Sequence, residues 1–263
     1  MITVFLICLL VGCVIGVLAG LFGIGGGLII VPILVYLLPM VGVPDHLLMA
    51  VALGSSFATI IITGGASAYN HYKFGNIDWS SLRLFAPATM MATYIASFFV
   101  SYLPKDLSSR IFAVMVVYLA IKMILSVKAK AGNKPFTDKA ALVGGTLIGV
   151  ASSFAGIGGG SFIVPFLNAR GYEMKQAIGS SSFCGMLLAF SGCLSYMVSG
   201  WDNTEMPDWS LGYVYLPAVL GITLTSAFTT KFGVILASRL PVVRLKKAFA
   251  VFLLLIALKM IFS

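Results

Sequence analysis

A chain of 263 residues in which 60% are hydrophobic and 10% charged has more apolar surface than a water-soluble core can hide. The bilayer is the solvent such a composition requires. A net charge of +9 would suit nucleic acid only if the basic residues formed one stripe, and they lie scattered between apolar runs, so no nucleic-acid partner is expected.

Taken in order, the first apolar run, residues 3–21, lacks the basic leader and cleavage-like site of a signal peptide and reads as a retained span. It runs into Gly23-Ile24-Gly25-Gly26-Gly27, and a second apolar arm follows as far as Pro39. Apolar runs of near-spanning length come next at 47–69, 84–103 and 111–127. Residues 132–138, with Gly132, Asn133, Lys134 and Pro135, read as a linker. Beyond it lie a run at 140–154, the segment Gly156-Ile157-Gly158-Gly159-Gly160, and further runs at 177–198, 211–229 and 248–262. Only nine residues, 161–169, separate the second glycine segment from Arg170. A helix of that length is roughly 14 Å, about half a bilayer core, so it cannot cross.

The chain is a duplication. Gly23 to Gly27 recur 133 residues on as Gly156 to Gly160, followed by Ile30-Val31-Pro32 answered by Ile163-Val164-Pro165. Gly54-Ser55-Ser56 is answered by Gly179-Ser180-Ser181, Asp78-Trp79 by Asp208-Trp209, and Pro87-Ala88 by Pro217-Ala218. Lys122-Met123-Ile124 returns as Lys259-Met260-Ile261. The expected domains are a first membrane repeat, 1–131, a cytoplasmic linker, 132–138, and a second membrane repeat, 139–263.

Charge sets the expected orientation. If each glycine-broken hairpin returns to its own side and three spans follow it, 14 of the 17 basic residues share one face. Only Lys105, Arg110 and Lys259 are left opposite, with five of the eight acids. By the positive-inside rule the basic face is cytoplasmic and both termini are outside, in the cell inner membrane. An odd number of crossings per half inverts one half relative to the other. The fold class expected is therefore an all-α polytopic membrane protein of two inverted-topology repeats. Each is a glycine-broken re-entrant hairpin plus three transmembrane helices.

Consecutive glycines bend a helix and let a ligand approach the backbone, and unwound backbone at membrane depth must be buried in protein or line a polar cavity. The arms starting at Leu28 and Ser161 would present free N–H groups and positive dipole ends to the space between the halves. That suits a small anion bound at midplane. The candidate substrate-binding residues are Gly25, Gly26, Gly27, Gly158, Gly159 and Gly160, with the hydroxyls of Ser55, Ser56, Ser161, Ser180 and Ser181. Ser182 belongs to the same cluster, and small-residue helix packing is the competing account of these glycines and serines. Leu28 is apolar where Ser161 is polar, so the two half-sites are not equivalent.

The paired Gly-x-Gly-Gly-Gly…Val-Pro segments, each followed by Gly-Ser-Ser, resemble the sulfite exporter TauE/SafE family, also described as toluene sulfonate uptake permeases. The resemblance covers nearly the whole chain. It implies a secondary transporter of a small organic or inorganic sulfur-containing anion, such as a sulfonate or sulfite, and that substrate class comes from the resemblance alone. Alternating access is the expected mechanism, with a passive anion channel as the alternative. Coupling to a proton or sodium ion is expected, with its site unlocated.

An integral membrane enzyme would need a nucleophile, base or metal cluster, and no such constellation is seen, so neither catalysis nor a cofactor is expected. Cys8, Cys13, Cys184 and Cys193 lie in apolar runs without Cys-x-x-Cys spacing and read as packing thiols. His46 and His71 read as interfacial residues, with proton coupling as the minority reading. Asp78 and Asp208 read as helix caps at equivalent span starts. Partners beyond the anion are membrane lipid and, in keeping with so small a carrier, a second copy in a homodimer.

Overall fold

The computed structural model describes residues 2–22, 26–125, 132, 135–239 and 242–262. Ten α-helices carry almost all of it: α1 (Ile2–Phe22), α2 (Gly27–Leu37), α3 (Leu48–Lys73), α4 (Trp79–Ser101), α5 (Lys105–Leu125), α6 (Asp138–Ala155), α7 (Gly160–Asn168), α8 (Met174–Ser199), α9 (Leu216–Arg239) and α10 (Val242–Phe262). A two-residue hairpin pairs β1 (Ser210–Leu211) with β2 (Val214–Tyr215) just ahead of α9.

The same order of lengths occurs twice. A long helix is followed by a short one, of 11 residues in α2 and 9 in α7, and then by three long helices. At 1.5 Å per residue the short arms measure about 17 and 14 Å, too little for a bilayer core of about 30 Å. Among the described residues, Asp45–Lys73, Trp79–Ser101 and Met174–Ser199 are long and apolar enough to cross a membrane on their own. Helices α5, α9 and α10 reach that length, at 21, 24 and 21 residues, and carry Lys or Arg along it.

Neither set of five helices packs as a closed unit. α1 lies principally against α9, and α6 against α4, so each set lends its first helix to the other. Paired glycines make the approach close. A Cβ on Gly12 would fall 2.6 Å from the Ile222 carbonyl oxygen, and one on Gly16 equally close to that of Ser226. In the second set Gly145 and Gly149 meet the Phe85 and Thr89 carbonyl oxygens at 3.0 and 2.7 Å in the same sense. These Gly-x-x-x-Gly pairs remove the side chains that would hold the backbones apart, which is how helices gain contact in a solvent as apolar as they are. Contacts rise together along both members of each pair, so α1 runs parallel to α9 and α6 to α4.

At the centre α3 packs against α8 in the opposite sense: Gly54 meets Tyr196, Phe57 meets Gly192, Gly64 meets Met186, and Ser67 bonds Ser182. Outward faces of the outer helices are apolar, as Leu10, Met91, Leu147 and Phe228 show, and suit contact with hydrocarbon. The ammonium groups of Lys122 and Lys259 rest on the rings of Tyr118 and Tyr36, at 5.6 and 4.9 Å from their centroids.

Two expected correspondences change. Asp78 does cap α4, accepting from the Ser81 N–H at 3.1 Å, but Asp208 lies ahead of the β-hairpin and eight residues before α9 begins at Leu216. The residue in the place of Asp78 is Tyr215, because the connection between α8 and α9 is longer than the one between α3 and α4. Pro87 and Pro217 are likewise not equivalent, one falling on the ninth residue of its helix and the other on the second. Of the expected linker, Gly132 donates its N–H to the Asn168 carbonyl, and Thr137 caps α6, which starts one residue before the expected boundary of the second repeat. Asn133 and Lys134 lie outside the described residues.

Candidate functional site

Glycine makes both helix breaks, and for a local reason. Gly26 and Gly159, 133 residues apart, take left-handed φ of 79° and 69° and stand as the N-caps of α2 and α7, a conformation that costs a residue with a Cβ about 1–2 kcal/mol. Neither helix has a side-chain cap. The Gly26 carbonyl takes the N–H groups of Ile29 and Ile30, and the Gly159 carbonyl those of Phe162 and Ile163. That leaves the N–H groups of Gly27 and Leu28 on α2, and of Gly160 and Ser161 on α7, without an acceptor among the described residues. Gly25 lies outside the described residues.

The breaks meet. A Cβ on Gly27 would stand 2.5 Å from the Gly156 carbonyl oxygen and 3.0 Å from Ile157 Cα, so the start of α2 touches the backbone just ahead of α7. Gly156 in turn faces Leu53 and Val31 of the first set. Behind the second break, Gly185 of α8 abuts the Gly158 carbonyl, and Gly158 also faces Ile60. Gly26, Gly27, Gly158 and Gly159 are buried, while Gly160 and Ser161 are half-buried.

The paired serines hold this arrangement together. Ser56 donates to the Gly156 carbonyl at 2.7 Å, tying α3 to the second break. Ser55 accepts from the Tyr215 N–H at 3.0 Å and Ser180 from the Asp78 N–H at 2.9 Å, so each set anchors the connection that leads into a helix of the other. Ser181 and Ser182 both donate to the Ile178 carbonyl on their own helix. Removing the Ser56 hydroxyl strands a buried carbonyl, at a cost of about 1–3 kcal/mol. Ser56→Ala is therefore expected to lower the thermal unfolding midpoint of purified protein, read by intrinsic fluorescence.

Ser161 is different, because its Oγ is buried and has no hydrogen-bond partner. Of the five other buried hydroxyls without a partner, on Ser97, Ser108, Ser152, Tyr196 and Ser210, the one on Ser152 lies beside the same break, and sequence reasoning misses it. Ser152, in the last turn of α6, is fully buried, its Oγ is unpartnered, and it would lie 3.4 Å from a Cβ on Gly159. The signal was present in the repeat: 133 residues earlier the chain has Ala19, as it has Leu28 for Ser161. Neither histidine reaches the breaks. His46 faces Glu205 at 3.4 Å on an exposed surface, and His71 lies 3.4 Å from the Asn76 amide.

A bundle of apolar-faced helices with two glycine breaks buried against each other is the build of a membrane transporter. The profile of the family described as sulfite exporter TauE/SafE matches residues 8–260, and the chain belongs to that family. It is 59% identical over 261 residues, 99% of each chain, to a "Probable membrane transporter protein" of Haemophilus influenzae. It is 29% identical to the "Probable membrane transporter protein MJ0441" of Methanocaldococcus jannaschii, covering 86% of this chain and 84% of that one. The "Probable membrane transporter protein YunE" of Bacillus subtilis is also 29% identical, over 76% of this chain and 80% of its own. No solved structure is a significant match.

Proposed function

We propose that this chain is a secondary transporter of a small sulfur-containing anion, such as a sulfonate or sulfite, working by alternating access between two inverted repeats. The contact that carries the reading is Gly27 of one repeat against the Gly156 carbonyl of the other, because it buries the uncapped N-terminus of α2 against the segment that leads into the equally uncapped N-terminus of α7. Each N-terminus is worth about half a positive charge, so an anion is stabilised there without a Lys or Arg at the breaks. Inversion is supported by the opposite run of α3 and α8, the two helices that share the Gly-Ser-Ser motif. Exchange of α1 and α6 between the sets gives each moving half a wall made partly by the other.

The sulfur chemistry of the substrate rests on the family description. A cytoplasmic basic face, outward termini, an inner-membrane location, a homodimer and coupling to a proton or sodium gradient belong to the same proposal. The test is a thermal-shift and proteoliposome-flux panel of sulfite, thiosulfate, sulfonates, carboxylates, cations and neutral solutes on the purified protein. Oxyanions are expected to raise the unfolding midpoint and to be carried in a saturable, gradient-dependent manner. Stabilisation by a cation or a neutral solute alone rejects the substrate class, and flux that does not saturate assigns the protein to channels.

A further inference from the structure

We infer that the anion is held at one break only, the second, and that Ser152 is one of its ligands together with Ser161 and the N–H groups of Gly160 and Ser161. This rests on the transporter reading above and deepens it. A buried hydroxyl without a partner loses the hydrogen bonds it made with water, and native proteins hold few such groups unless something else satisfies them. Ser97, Ser108, Tyr196 and Ser210 carry such hydroxyls elsewhere, but Ser152 and Ser161 are the two beside the left-handed N-cap of α7: Ser161 follows Gly159 by two residues, and Ser152 Oγ would stand 3.4 Å from a Cβ on Gly159.

The first break has no counterpart to either. Ala19 and Leu28 stand at the equivalent places, and Leu28 is buried. By contrast Ser55, Ser56, Ser180 and Ser181 all bond to protein backbone. Around the breaks the repeat has thus kept its bonded serines in both halves, while the unpartnered hydroxyls of Ser152 and Ser161 stand beside the second break alone.

The chemistry of the ligand follows from the donors. Two hydroxyls and two amides offer hydrogen bonds, which calls for several acceptor oxygens on one centre. Among the described residues the atoms nearest Gly158 and Gly159 belong to Ile60, Ser152, Ile163, Gly185 and Leu188, none of them cationic, so the positive charge at hand is the partial charge of the helix N-terminus. A monoanion such as a sulfonate, hydrogen sulfite or carboxylate fits that field. A dianion would be left undercompensated in an apolar surround.

The experiment is calorimetric and thermal-shift titration of the full chain with methanesulfonate, sulfite and acetate, with sodium sulfate as the dianion. Ser152→Ala and Ser161→Ala are each expected to weaken binding of the monoanions by about tenfold or more, the loss of one hydrogen bond to a charged group. Without anion their unfolding midpoints should be no lower than that of the wild type, because an unpartnered hydroxyl stabilises nothing in the empty protein. Ser152→Cys, close in size and a poor donor, should show the same loss of binding. Wild-type affinity in Ser152→Ala overturns the inference and leaves the transporter reading intact. So does a Ser152→Ala midpoint lowered as far as that of Ser56→Ala, or a failure of Ser152→Ala to fold, since either makes the hydroxyl structural. Sulfate bound as tightly as methanesulfonate overturns the choice of a monoanion. A wild-type protein that binds none of these oxyanions rejects the transporter reading itself.

Discussion

Gly159→Leu should bring anion flux in proteoliposomes below a tenth of the wild-type rate. Three effects act at that position. A leucine there must adopt a φ of 69°, which strains the backbone by about 1–3 kcal/mol. Its Cβ would lie 2.9 Å from Ile163 Cδ1 and 3.1 Å from Leu188 Cδ1, so the side chain overfills a buried place at a further cost of about 1–3 kcal/mol. The third effect concerns transport alone, because the remaining carbons occupy the approach to the N–H groups of α7. Gly159→Ala shares the strain without the bulk, and the atoms it meets are flexible side-chain ends, so part of its flux should survive. Flux rates normalised to inserted protein, with gel filtration to show folded material, make the check. Normal flux in the leucine variant would place the transport path elsewhere.

Gly27→Val should unfold the meeting of the breaks. The Cβ of any residue at 27 points at the Gly156 carbonyl oxygen, 2.5 Å away, and at Ile157 Cα. Both are backbone atoms, and the carbonyl is also held by the Ser56 hydroxyl. Relief therefore requires the two repeats to separate, which exposes the core residues Leu53, Val31 and Ile157 to a gap. A loss of about 3 kcal/mol is expected, or roughly 6–12 °C in unfolding midpoint on the scale of soluble chains of this size. Gly27→Ala should fall between. A valine variant as stable as the wild type would mean that the breaks are not held together.

The glycine breaks were legible in the sequence because their cause is local. A left-handed N-cap needs glycine, and the triplets at 25–27 and 158–160 announce it twice. The nine-residue arm of α7 was legible for the same reason, since Arg170 fixes where the apolar run ends. What stayed hidden was partnership. Gly12, Gly16, Gly145 and Gly149 mark small faces on α1 and α6, but a small face does not name the helix that will fill it, and each fills it from the other repeat. The serines show the same limit. Proximity to a break could be read from Gly-Ser-Ser, but whether a hydroxyl serves backbone or ligand depends on which carbonyl or amide lies opposite. Pro87 and Pro217 misled for a simpler reason, because a shared Pro-Ala pair outweighed an unequal connection before the helix.

The loan of α1 to α9 and of α6 to α4 also sets an order of assembly. Translation at about 5–20 residues per second leaves α1 waiting roughly 10–40 s for its partner, some 200 residues downstream. During that interval its glycine face is bare in the lipid, while α6 finds α4 already inserted. The nascent chain thus matures from its middle outward, and a ribosome that stops before α9 releases a product whose first helix has nothing to embrace.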